Sequence, residues 1–246
     1  MSKFSNNKIK GLYNNEGSTS SQTGVASFRE LYSKRIKNKW PIAYDGFTFA
    51  SSVSPYVYNY RKNHLTGIYE LQTAPTAANA GAQACAWSPD GTYFAYCGTS
   101  SPYLTIYKRD GSSLVKLSTI DINPSGGCNC VAWSPDGTHL ALAHGTGAPW
   151  GVVYKRSGDN FAKMGNALAS LPNTGNGCHY SPDGNYLAIA HNSSPFVTIY
   201  SRSGDTYTKL TNPAALPAGS GNSVAFNKNS EKLVVGHATS PYLTLY

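Results

Sequence analysis

An all-β fold of repeated four-stranded antiparallel sheets is what this 246-residue sequence predicts, and three observations carry it. The first is a period: the proline of a Ser-Pro-aromatic step or its variant falls at Pro55, Pro102, Pro149, Pro195 and Pro241, with spacings of 47, 47, 46 and 46. The second is the texture within each period, short alternating apolar runs punctuated by Gly- and Pro-rich turns, with no amphipathic 3.6-residue stretch between residues 41 and 246. The third is composition: 13% charged, 12% aromatic and 40% apolar, with 24 Gly and 14 Pro. A period in the forties with these strands and turns predicts the blades of a β-propeller, about five of them, rather than a helical solenoid.

The unit reads in order. Asn222–Phe226 ("NSVAF") represents the innermost strand. "SPDG" is a tight turn in which Pro presets φ and Asp-Gly supplies a local hydrogen bond and a left-handed position. Tyr186–His191 ("YLAIAH") represents the second strand, "SSP" the next turn and "FVTIYSR" the third strand. "SGD" turns the chain into the outer strand, Thr206–Leu210, and a linker such as "TNPAALPAGSG" crosses to the next unit. The first unit, "PIAYDGFTFASSVSPYVYNY", lacks Ser-Pro in its first turn, and the last reaches only its third strand at Tyr246. Asn6–Tyr13 ("NNKIKGLY") is the candidate to complete that last blade; a longer array, of which this chain is a fragment, is the alternative.

Residues 1–40 lie outside the repeat and hold six of the eight net positive charges. Within them, Ser27 and Glu30 form a capping box, and Phe28, Leu31, Tyr32 and Ile36 make one apolar stripe before Pro41. This predicts a short basic helix in an N-terminal arm, followed by a propeller over residues 41–246. Arg29, Lys34, Arg35 and Lys37 are its candidate docking residues, with an acidic protein as partner. Because the repeats are near neutral, nucleic acid is not the expected partner. No run approaches the roughly 20 apolar residues that span a bilayer, and "MSKFSNNKIKGLYNN" lacks the apolar core of a secretory signal. Five cysteines, an odd count, fit a reducing compartment rather than a disulfide framework.

The acidic residues offer no catalytic pair. Asp45, Asp90, Asp136 and Asp183 sit in first turns and Asp110, Asp159 and Asp205 in second turns, on one rim. A glycosidase needs two facing carboxylates, and these are accounted for by turns. Cys128-Asn-Cys130 has too short a spacing for zinc, while Cys85 and Cys178 share one innermost-strand position and are expected to be small buried thiols. No cofactor or metal is expected.

Three recurring positions remain as binding candidates on the opposite rim. His144, His191 and His237 end the second strand, with Gly98 in their place in the second unit. Imidazoles around a funnel can bind an anion or metal, but a position that recurs also suits a loop hydrogen bond that every blade needs. Asn129, Asn176 and Asn222, with Gln83, start the innermost strand, where amides serve either sugar hydroxyls or the backbone. The aromatic after each proline (Tyr56, Tyr103, Trp150, Phe196, Tyr242) offers a face to a sugar or packs between blades. Trp150, in "GTGAPWG", departs most from its siblings and is the leading candidate for ligand contact.

The aromatic-"SPDG" turn followed by a strand ending in a small residue plus His or Gly resembles the WD-repeat class of β-propellers, although the Trp-Asp pair of that class is replaced by "TIY". The fuller pattern, "SPDG", "LA-AH", "SPY-TIYKRSGD", "TKL", looks like repeats of bacteriophage tail and other virion proteins and of some bacterial surface-recognition proteins. That resemblance implies a non-enzymatic structural or adhesion protein of a virion, made in the host cytoplasm. Its arm would dock other virion proteins and its rim would meet a neighbour or a host-surface glycan. A lactonase-type hydrolase and an intracellular scaffold are the alternatives.

Overall fold

A computed structural model describes residues 46–50, 57–63, 65–75, 81–111, 113–118, 120, 124–165, 167–168 and 171–246. The N-terminal arm, its helix and the candidate closing strand lie outside the described residues. The unit that carries the sheets is Asp45–Tyr246. Among the described residues every regular element is a strand, and all pair antiparallel within five sheets.

Sheet I holds β1 (Gly46–Ala50), β2 (Val57–Lys62) and β3 (Tyr69–Leu71). Sheet II holds β4 (Ala82–Trp87), β5 (Tyr93–Gly98), β6 (Leu104–Asp110) and β7 (Ser113–Lys116). Sheet III runs β8 (Cys128–Trp133), β9 (His139–His144), β10 (Gly151–Ser157) and β11 (Asn160–Lys163). Sheet IV runs β12 (Gly175–Tyr180), β13 (Tyr186–His191), β14 (Val197–Ser203) and β15 (Thr206–Lys209). Sheet V has β16 (Gly221–Phe226), β17 (Leu233–His237) and β18 (Leu243–Leu245). The innermost strands β4, β8, β12 and β16 neighbour one another in series, with β1 beside β4. Radial sheets packed face to face on their first strands are the blades of a β-propeller.

The core is accordingly a set of layers between sheets. Alternation sends residues of one strand to opposite neighbours: Leu140 and Leu142 pack toward sheet II, while Ala141 and Ala143 pack toward sheet IV. Tyr93, Trp133 and Phe161 meet in the layer between sheets II and III, with Phe161 edge-on to both other rings. Small alanines on one face and large rings on the other let successive sheets interdigitate.

The first turn is built by the serine that precedes its proline. Ser88 Oγ accepts from the Tyr93 amide at 2.8 Å and donates to Asp90 Oδ1 at 2.5 Å, while Asp90 accepts from the Thr92 amide. Ser134 with Asp136 and Ser181 with Asp183 repeat the arrangement. Gly91, Gly137 and Gly184 close these turns at φ of +63°, +67° and +76°, conformations that favour glycine. A buried hydroxyl bonded on both sides explains why serine recurs there.

Candidate functional site

The recurring histidines lie inside the blades. His144, His191 and His237 are buried. Their backbone amides donate to the carbonyls of Trp150, Phe196 and Tyr242, which ties the second strand to the residue after the proline. Tyr103, Phe196 and Tyr242 hold φ between 61° and 68°, and their own amides close the turn on Ser100, Ser193 and Thr239. His191 Nε2 lies 2.9 Å from Thr198 Oγ1, and His237 Nε2 lies 3.0 Å from Thr244 Oγ1. The imidazole thus bonds the third strand of its own sheet. In sheet III the threonine is replaced by Val152, so His144 has no hydroxyl there. Burial pushes the His144 imidazole below its usual range and that of His191 down to about 4.

The amides are latches between sheets. Each of Gln83, Asn129, Asn176 and Asn222 sits where the register of the innermost strand shifts by one residue, a bulge that re-aims the side chain. Asn129 Nδ2 donates to the Gly175 carbonyl at 2.9 Å, and Asn176 Nδ2 to the Gly221 carbonyl at 2.7 Å. In both cases the acceptor opens the innermost strand of the next sheet. Asn176 also bonds Asn192, and Asn222 is exposed. Trp150 is half-buried and packs on the layer between sheets III and IV, with Leu168 and Leu171 nearby in that layer. Among the described members of this series, Tyr242 is the exposed aromatic, at 61%.

The opposite rim carries a charged network that a turn-by-turn account of the sequence misses. Asp159, in the second turn of sheet III, accepts from Tyr93 Oη at 2.5 Å and from Lys108 Nζ at 2.7 Å, both on sheet II. One sheet later, Asp205 takes His139 Nε2 at 3.1 Å and Lys155. In the reverse sense, Arg202 of sheet IV donates to Asp136 Oδ2 at 2.7 Å and to Thr138 Oγ1 at 3.0 Å on sheet III. Arg156 stands 3.9 Å from Asp90 and lies over the Tyr93 ring.

Because Arg202 Nη2 also donates to His139 Nδ1 at 2.9 Å, that nitrogen accepts and Nε2 carries the proton toward Asp205. Burial and the Arg202 charge hold His139 below the ordinary imidazole range against the pull of Asp205 and Asp136. Partial burial disfavours the Asp136 charge, but bonds from Ser134, Thr138 and Arg202 outweigh it and hold the carboxyl well below its usual range. Every turn aspartate in this network is committed to the frame. A shallow cleft between the turns is lined by Asp136, Asp183, Asn185 and Arg202. Among the described residues no cluster of three or more His, Cys, Asp or Glu is arranged to hold a metal. The docking candidates Arg29, Lys34, Arg35 and Lys37 lie outside the described residues.

With this geometry the described sheets form a β-propeller. Residues 115–147, from β7 through β9, match the WD domain, G-beta repeat. No curated protein matches the sequence. Among solved structures it is similar to a candidate 6-phosphogluconolactonase from Bacteroides uniformis, at 14% identity and a TM-score of 0.62 over 82% of this chain and 64% of that one. It is also similar to a chain of the mitotic checkpoint complex, at 17% identity and a TM-score of 0.57 over 77% and 59%. Against hydrazine synthase of Kuenenia stuttgartiensis the values are 14% and 0.50, over 65% and 43%. The chain spans less than two thirds of each of these chains, and at such identities the likeness defines the fold alone. No helix among the described residues is long and apolar enough to cross a membrane.

Proposed function

We propose that this chain is a non-catalytic binding component of a bacteriophage particle. In this reading a propeller of five blades presents its rim to a neighbouring virion protein or a host-surface glycan, and the N-terminal arm anchors it. The supporting observation is the use of the turn carboxylates. Asp90, Asp136, Asp159, Asp183 and Asp205 are each bonded within a turn or to side chains of the adjoining sheet. These five carboxylates therefore maintain the frame. The exposed Tyr242 and Asn222 supply aromatic and polar groups of a recognition rim.

Particles purified by density gradient should contain the chain by mass spectrometry, and its absence from them overturns the virion assignment. Changing Arg29, Lys34, Arg35 and Lys37 together to Gln should abolish incorporation while the propeller still folds. Association of the unaltered protein should weaken with salt, since exposed charges are screened over about 10 Å at 0.1 M. Normal incorporation of the Gln variant would leave the rim as the anchoring surface. The match to a WD repeat favours a second reading, an intracellular scaffold for a peptide or protein partner. Recovery with a host-cell complex and not with particles would select it.

A further inference from the structure

The cysteines occupy paired positions between sheets. In ring register the innermost strands align Ala84, Cys130, Gly177 and Ser223 at one position and Cys85, Val131, Cys178 and Val224 at the next. The first position packs toward the following sheet and the second toward the preceding one, as Ala84 with Val131 and Cys130 with Cys178 illustrate. Among the described residues, only the contact of β8 with β12 places a thiol at both. The Cys130 thiol donates to the Cys178 carbonyl at 3.6 Å and the Cys178 thiol to the Ala141 carbonyl at 3.8 Å, so both sulfurs lie in the layer between sheets III and IV.

The two partners differ in access and acidity. Cys130 is partly exposed, whereas Cys178 is 5% exposed. The Cys178 thiol and the amides of Cys178 and Val131 stabilise the Cys130 thiolate and bring that thiol down to about 7 against the effect of burial. The Cys178 thiol is pushed up by its bond to Cys130 and by burial. An accessible thiolate beside a protonated thiol is an attacking and resolving arrangement. A second pair, Cys97 and Cys128, joins sheets II and III but is wholly buried and closed to a soluble oxidant.

We propose that Cys130 and Cys178 form an oxidisable pair whose disulfide, made at the expense of a peroxide, ties sheet III to sheet IV. The Cys130 thiolate attacks one oxygen of hydrogen peroxide. A sulfur–oxygen bond forms, the oxygen–oxygen bond breaks, and the departing hydroxide takes a proton to become water. Cys178 then gives up its proton and attacks the sulfenic sulfur; the disulfide forms and the second oxygen leaves as water. Two thiols lose two electrons in total and the peroxide gains them. This inference does not depend on the virion assignment.

The test uses the full chain, reduced, then exposed to hydrogen peroxide, blocked with N-ethylmaleimide and digested without reductant. The peptide carrying Cys178 should be found linked to the peptide carrying Cys128 and Cys130. That link should persist in Cys128→Ser and vanish in Cys130→Ser. In Cys178→Ser, oxidation should stop at a sulfenic acid on Cys130 that dimedone traps. An unlinked oxidised wild-type protein, a link through Cys97 or Cys128 in its place, or a link that survives Cys130→Ser overturns the proposal. Fragmentation of the linked wild-type peptide, which places the N-ethylmaleimide on Cys128 when Cys130 is the linked residue, decides even where a serine variant does not fold.

Discussion

Lowering the pH from 7 to 4 should destabilise this propeller chiefly through its buried histidines. His191 offers the clearest magnitude. It is closed to solvent, and burial with the nearby Lys209 charge lowers it to about 4, while the carbonyls of Ser193 and Val197 oppose the shift. The unfolded imidazole titrates near its ordinary 6.5, so the unfolded state binds the extra proton between these values. Stability from this group is therefore complete above 6.5 and is lost as pH falls toward 4. At roughly 1.4 kcal/mol per unit, the loss is about 3 kcal/mol.

His139, His144 and His179 are also lowered, chiefly by burial, and add slope in the same direction. The network aspartates are shifted downward from 3.8, so their stabilisation begins to fall from about pH 5, a background shared by wild type and variant that their difference removes. Urea unfolding followed by tryptophan fluorescence across this range provides the measurement, on wild type and on His191→Gln. The wild type should lose about 3 kcal/mol more than the variant between pH 7 and 4. Parallel curves would refute the assignment, whatever the variant's stability at pH 7.

Three substitutions examine the contacts between sheets. Arg202→Met removes the buried guanidinium from Asp136, Thr138 and His139. Discounted for the half-exposed Asp136, the cost should be about 2 kcal/mol, seen as a fall in melting temperature of about 4–8 °C. Gly221→Ala places a Cβ 2.3 Å from the Phe196 carbonyl oxygen. Backbone cannot swing aside there, so a loss of about 3 kcal/mol is expected in denaturant unfolding, and an unchanged midpoint would show that sheet V sits farther from sheet IV. Trp150→Ala should cost about 2 kcal/mol from partial loss of packing. Weakened adsorption to cells with unchanged melting would instead make Trp150 a ligand contact.

The blades were legible because each turn has a chemical requirement that the sequence repeats. Ser-Pro-Asp-Gly contains the buried hydroxyl, the fixed φ, the capping carboxylate and the left-handed residue that the observed turn uses. The histidine position was legible as a recurrence but not in depth: alternation tells which face a side chain occupies, not whether the next sheet covers it. Its partner, too, was out of reach, since Thr198 and Thr244 read as ordinary strand residues until the third strand is laid beside the second.

The charged rim shows what kind of signal was overlooked. Tyr93 to Asp159, His139 to Asp205, Asp90 to Arg156 and Asp136 to Arg202 are each separated by 66 residues. That constant is one repeat plus the distance from a blade's first turn to the end of its third strand. Taken singly, each aspartate is explained by its own turn, and the local explanation is correct as far as it goes. A carboxylate has two oxygens and several lone pairs, however, and the turn uses only some of them. Asp136 caps Thr138 through Oδ1 and keeps Oδ2 for Arg202 of the next sheet. One residue thereby closes a turn and ties adjoining sheets, so a period-wide charge offset is a signature of packing between repeats that no single repeat displays.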